Sequence, residues 1–260
     1  KKIFLIFENE KINFYEFNSR INQTCNFFKS IKLKKGNIVS LYLQNSIEFV
    51  ILYFACIRYG AIVSPIPYGV SNKQISYFLN LSKSKILITD DKNLSVKVKK
   101  ILISNYSDFL KKIFTHSEIF KEKKIKKNNI CVYYFSSGTT ANPKLIKYSN
   151  YAMISCQKIL YSSKFLKPFS NHMCVLPLGH TASLRYTIKN AIVGAGKVYL
   201  YKNFWQIKDN FWKILNKNKI NFIGVVPSMI NTIYYLYKKK NYKNFYLKFF
   251  GCGSSILSRS

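Results

Sequence analysis

Acidic residues are scarce in this 260-residue chain: ten Asp and Glu stand against 42 Lys and Arg, for a formal net charge of +32. Arginine is scarcer still. Arg20, Arg58, Arg185 and Arg259 are the whole set, so the other 38 basic residues are lysines, spread among abundant Asn, Ile, Tyr and Phe along the full length. Proteins that read nucleic-acid sequence favour the planar guanidinium fork and gather their basic residues on one face. A dispersed lysine excess of this kind is what AT-rich codons supply. It argues against specific nucleic-acid recognition, leaving a basic nucleic-acid binder as a distant alternative and non-specific adhesion at low salt as the expectation. The Lys111-Lys112 pair and the Lys121 to Lys127 run read as solvated loop charge.

Long apolar runs are missing too. Phe49 to Ile57 is the most apolar stretch and stops at Arg58, far short of a bilayer span, so no transmembrane segment is expected. Lys1 and Lys2 are followed by Glu8 and Glu10 with no small-residue cleavage site, which speaks against a signal peptide. Neither a CxxC pair nor a Cys/His cluster with metal-ligand spacing occurs, and no metal ligand is assigned. Cys25, Cys56, Cys131, Cys156, Cys174 and Cys252 are scattered, mostly inside apolar runs. That usage fits free thiols packed as small hydrophobes in a reducing, cytoplasmic setting. With 48% hydrophobic and 20% charged residues the chain is globular, and long enough for one large domain or two small ones.

What is present is alternation. Asn13 with Glu16 makes a capping box, and Phe14, Phe17, Ile21 and Phe28 follow at helical spacing. Ile38 to Leu43 predicts a strand; Ser46 opens a helix that Gly60 ends. Pro65 and Pro67 hold Ile62 to Pro67 extended. Ser71 with Gln74 predicts another capped helix, then a strand at Lys85 to Thr89. Residues 91–129 carry few signals and read as a connecting or surface region. Beyond them the spacing predicts strand Cys131 to Phe135, loop 136–144 and a helix from about Ser149. Next come a strand near Met173 to Leu176, a helix after Thr181 and a strand at Lys197 to Tyr201. Helix 205–217, strand Asn221 to Val226, helix 228–238 and strand Tyr246 to Phe250 end the series. Repeated βα units predict an α/β fold of largely parallel, helix-covered sheets.

The sharpest local feature is Ser136-Ser137-Gly138-Thr139-Thr140-Ala141-Asn142-Pro143-Lys144, directly after an apolar strand. Hydroxyls and exposed N–H groups donate to phosphate oxygens, Gly138 lets the backbone approach closely, and Lys144 adds charge. The P-loop spacing is absent. Taken alone, a Ser/Thr/Gly-rich turn is more often just a loop.

Context decides the matter. YFSSGTTANPKLIKYS (Tyr134 to Ser149) resembles the SSGTTGxPKG signature of the adenylate-forming superfamily, which includes acyl- and aryl-CoA synthetases, luciferases and peptide-synthetase adenylation domains. In the same order, INFYEF (Ile12 to Phe17) resembles "TYxEL", and Leu33 to Asn45, ending LQN, resembles "GDxVaixlxN". FACIRYGAIVSPIP (Phe54 to Pro67) is similar to "lAxxkxGavxxPlnP", and LPLGHTA (Leu176 to Ala182) to "PLxHxxG". GVVPSM (Gly224 to Met229) is similar to "gvPt", and FGCGSSILS (Phe250 to Ser258) to "sGGapLs".

The resemblance implies the large N-terminal AMP-binding domain of such enzymes, incomplete over 1–260. A first subdomain would run to about 129 and a second, carrying the phosphate loop, would start at 130; the C-terminal domain is expected to be absent. It implies that Ser136, Ser137, Gly138, Thr139 and Thr140 wrap the ATP phosphates with Lys144 closing the loop. Thr139, Lys144 and His180 would carry catalysis, His180 lining the carboxylate end of the acyl pocket. Gly251, Cys252 and Gly253 would border the acyl and adenine pockets, with Pro227 and Ser228 supporting the wall. His116 and His172 match nothing and are expected at the surface. Departures from the family pattern are Ala141 and Leu145 for glycines and Asn37 for aspartate.

The implied reaction is ATP-dependent, AMP-forming activation of a carboxylic acid with pyrophosphate release, as in fatty-acid metabolism. Acyl transfer to the thiol of coenzyme A or of phosphopantetheine on an acyl carrier protein would follow. Mg²⁺ is implied, although the motif holding its usual ligand, "YGxTE", lies past Ser260. "PLGHTA" favours CoA synthetases over amino-acid-adenylating domains, and a non-catalytic remnant is the other alternative.

Overall fold

The structure is a computed structural model that describes residues 1–121, 125–136, 143–162, 167–240 and 246–253. The chain opens as a hairpin, β1 (Ile3–Phe7) and β2 (Glu10–Asn13), with Glu8 in the left-handed region at the turn. Helix α1 (Phe14–Ser30) follows and buries Phe17, Ile21, Cys25 and Phe28 along one stripe, the i, i+4, i+8 spacing of an amphipathic helix.

Next come β3 (Ile38–Tyr42), α2 (Ile47–Tyr59), β4 (Ile62–Pro65), α3 (Asn72–Ser82) and β5 (Ile86–Thr89). Caps fix their limits. Ser46 Oγ accepts from the Phe49 N–H at the start of α2, and Gly60, at φ 87°, ends it with its N–H on the Cys56 and Ile57 carbonyls. Ser71 and Gln74 form the reciprocal capping box of α3. Helix α2 is buried nearly all round, as its apolar composition requires.

Residues 91–129, expected to be a connecting surface, hold two more elements. Strand β6 (Lys99–Leu102) adds a parallel edge to β5, and α4 (Tyr106–Ile113) buries Phe109 and Ile113 behind the Asn105 cap. Lys99 and Lys111 at exposed positions and Lys100 and Lys112 at half-buried ones interrupt the period of both. Beyond them β7 (Ile130–Phe135) and β8 (Leu145–Ser149) form an antiparallel hairpin that leads into α5 (Asn150–Ser162). These strands build one six-stranded sheet, ordered β6-β5-β3-β4-β7-β8 and parallel except for β8.

The second sheet takes β9 (Asn171–Cys174), β10 (Lys197–Leu200), β11 (Phe222–Val225) and β12 (Phe249–Cys252), in the order β12-β11-β9-β10-β1-β2. A π-turn (Ser183–Ile188) continues into α6 (Lys189–Val193), and α7 (Phe211–Lys217) and α8 (Pro227–Lys240) cover the sheet. Met173, Val175, Phe204, Phe211, Leu215, Ile223 and Val225 form its core.

Two compact units divide the chain. One comprises Lys1, Phe14–Ser155 and Leu178–Thr181; the other Lys2–Asn13, Cys156–Pro177 and Ala182–Ser260. The step expected at 129/130 therefore falls inside the first unit, because Val132 of β7 pairs with Val63 of β4 in the first sheet. No helix among the described residues is long and apolar enough to cross a membrane.

Candidate functional site

In the first unit the hydroxyl-rich loop is the connection of the β7–β8 hairpin. The ladder reaches Phe135 opposite Leu145, and two further hydrogen bonds close the neck. Ser136 N–H donates to the Lys144 carbonyl at 2.9 Å, and Lys144 N–H donates to Ser136 Oγ at 2.9 Å. The Tyr77 hydroxyl, from α3, donates to the Pro143 carbonyl at 3.1 Å. Phe135 stacks on Phe78 with ring centroids 4.2 Å apart, which anchors the end of β7 to the same helix.

The neck thus stands at the carboxyl end of a parallel strand, the end at which α/β sheets bind ligands. Lys144 is exposed there. Ser137, Gly138, Thr139 and Thr140 lie outside the described residues, as does Ala141. Leu145, which replaces a family glycine, is the first residue of β8, where a ladder position accepts a branched side chain.

His180 lies in a segment of the first unit that two other motifs hold. The Leu178 N–H donates to Asn45 Oδ1 at 2.6 Å, and Asn45, at the end of the LQN motif, is buried. A Cβ on Gly179 would lie 2.6 Å from the Ile66 carbonyl oxygen and 2.8 Å from Pro67 Cα, so only glycine lets the segment lie against the SPIP backbone. His180 itself is exposed, and partial desolvation lowers its pKa from the ordinary histidine value. Asn45 was missed as a site residue by sequence reasoning. Its only signal was its place in a motif.

The second unit holds a cavity of about 390 Å³ at the carboxyl ends of β11 and β12. Gly224, Val225, Gly251, Cys252 and Gly253 supply its strand side, and Tyr186 and Thr187 of the π-turn face them. Phe222 and Phe249 stack beneath, 5.0 Å apart and 4° from parallel. A Cβ on Gly224 or Gly253 would meet nothing within 4 Å, so both glycines widen the space. Among the described residues no lining side chain carries a charge. Of the sequence-predicted residues, Gly251, Cys252 and Gly253 gather here; Pro227 begins α8 just past β11, a position that suits proline, with Ser228 next. Tyr186 and Thr187 were not foreseen, since nothing in the sequence marked a π-turn.

His172 is a correction. It sits in central strand β9, between Val198 and Phe222, and is 1% exposed. Burial lowers its pKa to about 4, and its Nδ1 has no hydrogen-bond partner among the described residues. His116 is half-buried, its ring 5.8 Å from that of Phe27. Of the cysteines, four are buried, Cys156 is intermediate and Cys252 is exposed. Among the described residues no group of three His, Cys, Asp or Glu side chains could hold a metal ion.

The fold and site define an α/β protein of two largely parallel sheets, with a hairpin closed by Ser136 and Lys144 at a strand's carboxyl end. The model of the AMP-binding enzyme family matches residues 1–260, and the chain belongs to that family. Among curated proteins, crotonobetaine/carnitine–CoA ligase of Proteus mirabilis (strain HI4320) is 25% identical, over 90% of this chain and 49% of its own length. The chain spans about half the length of the curated relatives it matches.

Solved structures show the same fold. The N-terminal domain of FACL13 from Mycobacterium tuberculosis aligns with a TM-score of 0.87 at 16% identity, over 98% of this chain and 66% of that one. O-succinylbenzoate coenzyme A synthetase from Bacillus subtilis, in complex with AMP, aligns at 0.83 and 18% identity, over 98% and 51%.

Proposed function

We propose that this chain carries the ATP- and acid-binding part of an AMP-forming acid–thiol ligase. The observation that carries this reading is the β7–β8 hairpin. Its neck is closed by Ser136 and Lys144 at the carboxyl end of a parallel strand, in a chain matched along its length by the AMP-binding family. Backbone N–H groups, four hydroxyls and one lysine in that connection suit the phosphates of ATP.

In the proposed reaction a substrate carboxylate oxygen attacks the α-phosphorus of ATP. The bond to the β-phosphate oxygen breaks, pyrophosphate leaves and an acyl-adenylate forms. A thiol then attacks the acyl carbon and AMP departs. The ligase names of the relatives support coenzyme A as the thiol donor. Catalysis of the first step rests on positioning and on charge stabilisation by the hairpin donors, with Lys144 opposite the developing negative charge. Mg²⁺, when bound, would supply further charge neutralisation at the phosphates. The cavity between the β11–β12 ends and the π-turn, whose described lining carries no charge, takes the acyl group, and His180 is assigned to the substrate carboxylate by its motif.

Thr139→Ala and Lys144→Ala in the full-length protein test the hairpin assignment. Each is expected to lower acid-dependent pyrophosphate release by about a hundredfold, the scale of losing one preorganised donor. Unchanged rates in both variants would remove the hairpin from the mechanism.

A further inference from the structure

The π-turn that walls the cavity is held by a residue that lies outside the cavity lining. Lys189 N–H donates to the Leu184 carbonyl, five residues back, where an α-helix would use the Arg185 carbonyl four back. That shift releases carbonyls, and a buried carbonyl must find another donor. The Arg185 carbonyl is taken by Gln157 Nε2 of α5 at 2.6 Å, and the Tyr186 carbonyl by the side-chain amide of Asn190. At the other end of the turn Ser183 Oγ donates to the Leu176 carbonyl at 2.8 Å. Gln157 is 3% exposed, and its Oε1 has no hydrogen-bond partner among the described residues. Its buried amide is therefore spent on one bond, to the backbone between Leu184 and Tyr186. Tyr186 and Thr187, the next two residues, line the cavity.

We infer that Gln157 is a positioning residue for substrate size: by holding the Arg185 carbonyl it fixes the π-turn and with it the Tyr186–Thr187 wall. The size-selection part rests on the reading of the cavity as the acyl site. Without the amide donor the turn relaxes toward α-helical register, which rotates the residues after Arg185 by part of a turn and changes the space facing Gly224 and Gly253. The uncharged, aromatic-floored lining selects an acid whose tail carries no second charge.

The test uses Gln157→Met, which keeps the volume and loses the donor, and Gln157→Glu. A buried glutamic acid donates while protonated and cannot once ionised. Two readouts are taken on the full-length protein. One is hydrogen exchange of amides 184–190. The other is the ratio of kcat/KM for pyrophosphate release between a short and a bulky uncharged acid.

Q157M is expected to speed exchange in 184–190 and to shift the ratio by about tenfold, the scale of a methylene mismatch in an apolar pocket. KM for ATP should stay unchanged. Q157E is expected to hold the wild-type ratio at about pH 5 and to approach that of Q157M at about pH 9, a profile that a purely structural role would not give. Wild-type exchange in Q157M, or faster exchange with an unchanged ratio in an active enzyme, overturns the inference. If the wild type releases no pyrophosphate with any acid, the functional reading fails instead, and the exchange result alone decides whether Gln157 holds the turn.

Discussion

At the scale of single residues, His172 and Cys252 report on opposite ends of the same sheet. His172 is enclosed in β9 and held neutral, its pKa lowered to about 4 by burial. A histidine unfolds to an ordinary pKa of about 6.5, so between those values the unfolded chain binds the proton that the folded chain refuses. Stability is therefore greatest above pH 6.5, falls as pH drops through that window, and has lost about 3 kcal/mol from this group near pH 4. Chemical denaturation of the wild type and of His172→Leu across pH 4 to 7 checks it. The variant should lose most of the slope, and an equal slope in both would place the acid sensitivity elsewhere.

Cys252, the exposed thiol among six, lines the cavity. An acid that occupies the cavity should slow its alkylation by iodoacetamide several-fold, read as the mass shift on the peptide holding Cys252. Equal rates with and without an acid that supports pyrophosphate release would put that acid outside the cavity.

At the scale of elements, Gly179 is the point where three motifs meet. Asn45 fixes the Leu178 N–H, and the Ile66–Pro67 backbone leaves no room for a Cβ. Gly179→Ala must push backbone against backbone, which costs about 1 to 3 kcal/mol and moves His180 with it. A lower melting temperature together with a raised KM for the acid is expected; wild-type values of both would contradict the packing.

Legibility followed the same physics at this scale. Helices α1, α2 and α3 were readable because their caps and glycines are local signals, and β3, β4 and β5 because they are short β-branched apolar runs, with a serine inside β3 and β4. Strand β6 and helix α4 were not, because lysines at half-buried as well as exposed positions interrupt the period. Strand β8, between the predicted loop 136–144 and the helix expected from about Ser149, carried no strand signal: Leu145–Ser149 pairs antiparallel with β7 and is partly exposed, so it lacks the buried run of its neighbours. Within the candidate site, the 136–144 loop, His180, Gly251 and Gly253 were legible as motifs. Asn45, Gln157 and Tyr186 were not, since what they do depends on partners tens of residues away.

At the scale of the whole molecule, two largely parallel sheets put their chemistry at the carboxyl ends of strands, the hairpin on β7 in one and the glycine-widened cavity on β11 and β12 in the other. Lysines dominate the charge without gathering into a single motif, so the functional reading rests on the hairpin and the cavity. Acid-dependent release of pyrophosphate from ATP is the measurement that tests that reading most directly. The full-length protein is incubated with ATP and Mg²⁺ against a panel of fatty, aryl and amino acids. Release confined to one class of acids whose tails carry no second charge is the predicted result; no release with any acid, from folded protein, would contradict it.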